Sequence, residues 1–510
     1  MREKIVNLND FSNIREELHS QGKKIVLCHG VFDLLHYGHI EHLAEGKKQG
    51  DILVVSVTAA KFVNKGPGRP YFSDEQRMYF LANLQCVDYV ILSEAVTVHK
   101  VVEVVRPDVY VKGEEYAVAE NDVTGNIGPE QAIVEKYGGR IHFTHGAVYS
   151  STKLINNFFG GLPENVRAKS FELHKKYGPD IARQVRAMID GFADKKVLVI
   201  GDIIIDEYVF CQVQGLTSKD AAMSTRYEFT EQYAGGALAI ARHLAEFAGN
   251  VTLLSMMGHD KELENFIISI MQGVECRIVA DKAFVTPVKR RFLRRHALRE
   301  EYEKLFSVNY LLNRKELRNV NYDKFYRNLQ EMLPQYDMVV ICDYGHGLLT
   351  TEAIRMIEEK AKFMAVNCQT NSSNYGMNII TKYKRADTFV VDEKELHLAF
   401  GQIVEEDRHL IKELGKMLNS SYAWVTQGAR GAMCNDGTEM PAVTLHVKDT
   451  VGSGDAFYSL AALCALNKVP HDIATLVSNV AGAIKSTMVG NTRPVNKVDL
   501  LKFINTILNV

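Results

Sequence analysis

Residues 23–33, KKIVLCHGVFD, and the stretch that follows them, HIEHLAEGKKQG at 39–50, decide the fold. The first is an apolar run bounded by lysines; the second has helical spacing and ends in glycine. A strand near Phe32 handing over to a helix near Gly38 is the opening move of a parallel α/β sheet. DILVVSVT (51–58), DYVIL (88–92) and PDVYVKG (107–113) repeat the theme with helical segments between, and the block closes near GGRIHFTHGAVYSSTKLINNFF (138–159). Residues 161–195 are polar, contain Pro163 and Pro179 and hold no strand-like run, so they read as helical connectors. A second α/β block opens at KKVLVIGDIIIDEY (195–208) and continues through YDMVVICDYGHGLL (336–349), FMAVNCQ (363–369), ADTFVVDEKE (386–395) and SYAWVTQGARGAM (421–433). Between its first strands, CQVQGLTSKDAAMSTRYEFTEQY (211–233) alternates like a small sheet standing off the main one, able to cover a substrate.

The turn after the first strand carries His36 and His39 around Gly38. In an open α/β sheet such a turn lies at the carboxyl edge, where ligands bind, and a helix start there offers N–H groups to an anion. Two imidazoles add donors aimed at one phosphate, and Gly38 removes the side chain that would block its approach. That arrangement suits attack on an α-phosphate with departure of pyrophosphate, the histidines stabilising the growing charge.

A second phosphate motif is DTVGSGDAFYSL, 449–460. Gly452, Ser453 and Gly454 can present consecutive backbone N–H groups at a helix start, a cradle for a transferring phosphoryl group. Asp455, beside it, is placed to take the proton of an attacking alcohol. A plain helix cap is the alternative reading of the same turn.

Bulk properties agree with two enzyme domains. At 510 residues the chain exceeds what one core usually supports. Its 24% charged and 46% hydrophobic residues are ordinary for a soluble protein, and a net charge of −2 argues against a nucleic-acid or membrane binder. The amino terminus lacks the apolar core of a signal peptide and no run approaches a membrane span, so a cytoplasmic location is expected. Eight cysteines, none in a CxxC pair, suggest neither a metal site nor a disulfide framework.

The first block resembles the HxGH cytidylyltransferase-like nucleotidyltransferases. NKGPGRPYFSDEQRM (64–78), PDVYVKGEEY (107–116) and SSTKLI (150–155) stand in that family's order, closest to the adenylyltransferase half of bifunctional heptose-phosphate kinase/adenylyltransferases. The resemblance implies a Rossmann-like fold. It assigns His36 and His39 to the nucleotide phosphates, with Gly30, Phe32 and Asp33 forming the turn beneath them. It also places Lys65 at a phosphate, Lys112 and Gly113 beside the nucleotide, and Ser151 and Thr152 at phosphate oxygens. Arg77 reads equally as a nucleotide contact or a structural ion pair, Lys65 as a solvated lysine, and Ser151 and Thr152 as helix caps. His29 stands where the heptose enzymes carry asparagine, and VKGEEY replaces VKGGDY.

The second block resembles the ribokinase-like (PfkB) sugar kinases through GDIIIDEY, AGGALAIARHLA, DYGHGLL, TQGARGA and DTVGSGD, in that family's order. This implies a ribokinase-like α/β domain with a small β-sheet lid. Gly452, Ser453, Gly454, Gly428, Asp392 and Glu395 would form the ATP and anion site, and Asp206, Gly235 and Gly236 the sugar site. Gly235 and Gly236 could instead serve helix–sheet packing, and Asp206 a strand-end cap. An asparagine after the paired glycines is absent, Asn367 replaces an aspartate, and Asp392 replaces an asparagine.

The expected organisation is a nucleotidyltransferase domain at 1–158, a helical linker at 159–195 and a kinase domain at 196–510, the reverse of the usual fused heptose enzyme. The implied chemistry is phosphorylation of a heptose-phosphate-like sugar and transfer of AMP from ATP to a sugar 1-phosphate. Mg²⁺ would accompany the nucleoside triphosphates, with sugar phosphates as partners and a homodimer as the assembly. Two alternatives stand beside this reading: a CTP-dependent transferase for a sugar or polyol phosphate, and a kinase-like domain that serves as a non-catalytic sensor or scaffold.

Overall fold

The computed structural model describes residues 2–63, 69–114, 127–144, 162–295, 302–313, 315–402, 404–444 and 447–509. It divides into two compact units, Met1–Phe171 with Leu501–Val510, and Glu172–Leu500.

In the first unit, β1 (Ile5–Val6), β2 (Ile25–Gly30), β3 (Ile52–Thr58), β4 (Tyr89–Ser93), β5 (Val109–Gly113) and β6 (Arg140–Thr144) form one sheet. The order is β1-β4-β3-β2-β5-β6 and every pairing is parallel. Helices α1 (Phe11–Ser20), α2 (Tyr37–Lys47), α3 (Asp74–Ala82), α4 (His99–Val105) and α5 (Ile127–Lys136) cover it. Strand alternation explains the two layers. Val26, Cys28, Val55 and Val57 pack with Leu43 of α2 and Leu81 of α3, while Ile25, Leu27, Val54 and Tyr110 pack with Val101 and Val105 of α4 and Val134 of α5. β2 stops at Gly30 rather than near Phe32, because Phe32 has φ 49°, a value no strand continues through.

Helices α6 (Glu164–Tyr177) and α7 (Ile181–Asp190) occupy the stretch read as connectors. The main sheet of the second unit holds β7 (Lys196–Gly201), β10 (Asn250–Met257), β11 (Glu275–Ala280), β14 (Met338–Asp343), β15 (Met364–Cys368), β16 (Thr388–Asp392), β17 (Tyr422–Thr426), β18 (Ala432–Cys434) and β19 (Glu439–Met440). Its order is β11-β10-β7-β14-β15-β16-β17-β18-β19, parallel except at β18 and β19. One face packs on α10 (Asp323–Met332), α11 (Thr351–Lys360) and α13 (Asp407–Met417) through Phe325, Leu329, Ile357, Ile411 and Leu414. The remaining helices of this unit are α8 (Ala237–Ala245), α9 (Lys261–Ile270), α12 (Glu393–Phe400), α14 (Ser453–Leu466) and α15 (His471–Ser486), and α16 (Lys497–Leu508) starts in it and belongs to the first unit from Leu501 on. Both α14 and α15 are buried along nearly their whole length; α14 is apolar nearly all round, as such burial requires, while α15 also buries Thr475, Ser478, Asn479 and Lys485.

The small sheet is larger than the sequence suggests. β8 (Ile203–Leu216) and β9 (Met223–Gly236) form a hairpin across the stretch read as a small sheet, and β12 (Val288–Arg295) and β13 (Tyr302–Tyr310) extend it in the order β13-β12-β8-β9. β12 was hidden by its composition, VKRRFLRR. Its arginines balance acids on neighbouring strands, with Arg290 on Glu207, Arg291 on Asp206 and Arg294 on Glu303, so no apolar alternation marks it.

Candidate functional site

In the first unit the strand order reverses beside β2, whose neighbours are β3 and β5. Ligands of open α/β sheets settle outside the carboxyl ends at that point. The HxGH turn follows β2 and Lys112 and Gly113 end β5, so topology brings both motifs to one edge. His36 is the extended N-cap residue of α2, with Gly38 and His39 in its first turn. The two imidazoles stack at 4.0 Å, and the buried Phe32 ring meets His39 edge-on at 5.4 Å. Burial holds His36 below its usual pKa, so at pH 7 it is neutral and offers a ring N–H rather than a full charge.

Asp33 anchors the turn: it is buried, accepts from Tyr71 N (2.7 Å) and Phe72 N (3.0 Å), and pairs with Arg69 at 3.3 Å. Arg77 proves to be a brace rather than a nucleotide contact. Its guanidinium is fully buried and donates to the carbonyls of Val31 (2.6 Å), Thr58 (2.9 Å) and Phe72 (3.1 Å) and to Asp74. Lys112 forms a mostly buried ion pair with Glu130 (2.7 Å), which also accepts from Tyr110 OH (3.2 Å). His29 lies 3.1 Å from Ser56 Oγ, and burial, reinforced by the Lys112 charge, lowers its pKa to about 3. Lys65, Ser151 and Thr152 lie outside the described residues.

In the second unit the order reverses beside β7, between β10 and β14. Two hollows adjoin, the smaller near that reversal and the larger over the ends of β15, β16 and β17. The larger, about 1410 Å³, is walled by Asp392, Glu395, Gly428, Ser453 and Gly454. The smaller, about 240 Å³, is walled by Asp206, Gly236, Lys289, Arg291, Tyr344, Gly452 and Asp455. Gly454 lines both. Gly452, at φ 80°, caps α14, and a Cβ there would lie 2.4 Å from Asn491 Oδ1, so the turn needs glycine. The first turn of α14 has amides with no intrahelical carbonyl to meet, and the buried Ser453 Oγ has no hydrogen-bond partner, features suited to phosphate oxygens. Asp449 fixes this turn by accepting from Val451 N (3.0 Å), Gly490 N (2.8 Å) and Tyr208 OH (3.0 Å).

Asp392 and Glu395 form a reciprocal cap at the start of α12, and Glu395 also accepts from Thr370 N at 3.0 Å. Burial, then the Asp392 charge, pushes the Glu395 carboxyl up to about 8. Asp206 is buried and paired with Arg291. A Cβ on Gly235 would stand 2.5 Å from Asp206 Oδ2. Gly235→Ala is therefore expected to push this carboxylate off its arginine, at a cost of about 1–3 kcal/mol. Steady-state kinetics should show the acceptor KM rising roughly tenfold with the KM for ATP unchanged.

Sequence reasoning missed Lys289, Arg291, Tyr344 and Gln369. All four line the smaller hollow, but they arrive from β12 and from the ends of β14 and β15, separated by long stretches of chain that only the fold closes.

Two adjoining hollows at a glycine-rich helix start mark the second unit as carbohydrate-kinase-like, and a parallel sheet with two histidines at a helix start marks the first as nucleotidyltransferase-like. Residues 194–497 match the model of pfkB family carbohydrate kinases, and residues 27–157 that of cytidylyltransferase-like proteins. The chain belongs to the pfkB family of carbohydrate kinases. Bifunctional protein HldE of Citrifermentans bemidjiense is 41% identical over 154 residues, 30% of each chain. The HldE of Geobacter metallireducens is 39% identical over 166 residues, 32% of each. These matches span about a third of the relatives' length. Phosphofructokinase-2 from Escherichia coli, in complex with substrates and products, superposes with a TM-score of 0.48 at 14% identity, over 61% of this chain and 98% of that one.

Proposed function

We propose that the second unit transfers the γ-phosphate of ATP to a hydroxyl of a heptose-phosphate-like sugar, and that the first transfers AMP from ATP to a sugar 1-phosphate. The observation that carries the kinase reading is Asp455, buried at the wall of the smaller hollow next to Gly454, which lines both. The acceptor oxygen bonds to the γ-phosphorus, the bond from that phosphorus to the β–γ bridging oxygen breaks, ADP leaves and the alcohol's proton passes to Asp455. Lys289 at the wall of the acceptor hollow favours a substrate that already carries a phosphate, while Arg291 is held by Asp206. In the first unit His36 and His39 would hold the α-phosphate while a sugar phosphate oxygen displaces pyrophosphate.

The heptose reading rests on the motifs DYGHGLL and HxGH and on the likeness to proteins called bifunctional, with VKGEEY a departure from the heptose pattern. We read the domains, at 1–158 and 196–510 about a linker at 159–195, as reversed relative to the fused heptose enzymes. Mg²⁺ would enter as part of each nucleoside triphosphate substrate, with Asp392 facing the incoming complex at the cavity wall. A homodimer is supported by Tyr227, Phe229, Phe306 and Val308, exposed on the small sheet. Among the described residues no helix is long and apolar enough to cross a membrane, and a cytoplasmic site of action fits these substrates.

The test is a mass-spectrometric screen of the full chain with ATP and CTP against seven- and six-carbon sugar phosphates. ADP-linked sugar and a doubly phosphorylated sugar are the expected products. Product from CTP alone would replace the adenylyl reading, and no phosphorylated sugar from any acceptor would make the second unit a sensor or scaffold.

A further inference from the structure

We propose that Tyr344 is a positioning residue for the phosphoryl-transfer base, holding Oδ1 of Asp455 so that Oδ2 takes the proton of the acceptor. This rests on the reading of Asp455 as that base. The Tyr344 hydroxyl donates to Asp455 Oδ1 at 2.9 Å, and Gln369 Nε2 reaches the same oxygen at 3.4 Å. Both donors converge on one oxygen. A carboxylate held by one edge presents the other in a fixed direction, and proton transfer depends on that direction.

The residue is built to hold still. Its ring is buried, 3% exposed, beneath the Lys289 ammonium at 5.6 Å. Its backbone N–H donates to Asp202 Oδ2 at 3.1 Å, and its carbonyl accepts from the side-chain amides of Asn371 and Asn374, both at 2.8 Å. A backbone pinned on both sides gives the phenol little freedom. Burial also keeps the phenol pKa well above its ordinary value, so Tyr344 remains a donor at every assay pH.

The sign of the effect follows from the groups around the base. Burial is the largest influence on Asp455 and raises its pKa from 3.8 to about 6; the Tyr344 hydrogen bond opposes it. Asp206 of β8 raises it further, while Lys289 of β12 and Lys485 of α15 lower it. Cys342 of β14 and Glu395 of α12 feel the Asp455 charge in turn. Tyr344→Phe leaves all of these in place and removes only the donor to the ionised form, so the carboxyl becomes harder to ionise.

The experiment compares the full chain, Tyr344→Phe and Asp455→Asn across pH 4.5–9 with ATP and a heptose phosphate as acceptor probe. For Tyr344→Phe the acid limb of kcat/KM should move up by roughly one pH unit and kcat fall about tenfold, with the KM for ATP unchanged. Infrared difference titration of each protein against its Asp455→Asn counterpart reads the same carboxyl without any acceptor. An unmoved titration in folded Tyr344→Phe overturns the positioning role. Full turnover by Asp455→Asn would instead overturn the base itself, a separate failure. Should Tyr344→Phe not fold, Gln369→Leu removes the second donor and must shift the titration the same way by a smaller amount; no shift overturns the proposal.

Discussion

Asp455→Asn is expected to lower kcat for sugar phosphorylation by roughly 10²–10⁴-fold while leaving the KM for ATP within a factor of about two. The amide keeps the shape of the carboxylate and can still accept from Tyr344, so what disappears is the capacity to take a proton. Stability should move the other way. The carboxyl titrates near 3.8 when unfolded and at about 6 when folded. Between those values folding takes up a proton, so stability falls as pH rises through the window, by on the order of 3 kcal/mol. Above pH 6 the parent carries that full burden, and the neutral asparagine does not. A melt at pH 7.5 should therefore show the variant at least as stable as its parent, and a variant that is both inactive and markedly less stable would contradict this account of the site.

His39→Ala is expected to lower pyrophosphate release by the first unit roughly 10²–10³-fold, with sugar phosphorylation by the same preparation unchanged. His39 stacks on His36 and meets Phe32 at the mouth of α2, so its loss removes a donor and loosens the ring it supports. The kinase residues belong to the other compact unit, with its own hydrophobic core. Equal loss of both activities in folded protein would show that the two sites are not independent.

Much of this was legible because strands and phosphate turns are local. Ile25–Gly30, Ile52–Thr58 and Lys196–Gly201 announce themselves as apolar runs, and the turn at 452–455 carries its own glycines and carboxylate. What escaped depends on distance. Tyr344 and Asp455 are 111 residues apart and meet only because β14 and the start of α14 share one sheet edge. Arg77 looked ambiguous since a sequence shows a charge without showing that carbonyls from residues 31, 58 and 72 surround it. β12 was missed because its packing currency is ion pairs rather than apolar side chains.

The brace formed by Arg77 bears on nucleotide choice. With the carbonyls of Val31, Thr58 and Phe72 already gathered by one guanidinium, the turn that leads to the histidines is held in place by the protein itself. On the proposed reading, holding a triphosphate at such a turn would demand little ordering of residues 31–33 and would not by itself distinguish one nucleotide from another. On that reading, telling adenine from cytosine would fall to whatever surrounds the base, several bonds away from the phosphates.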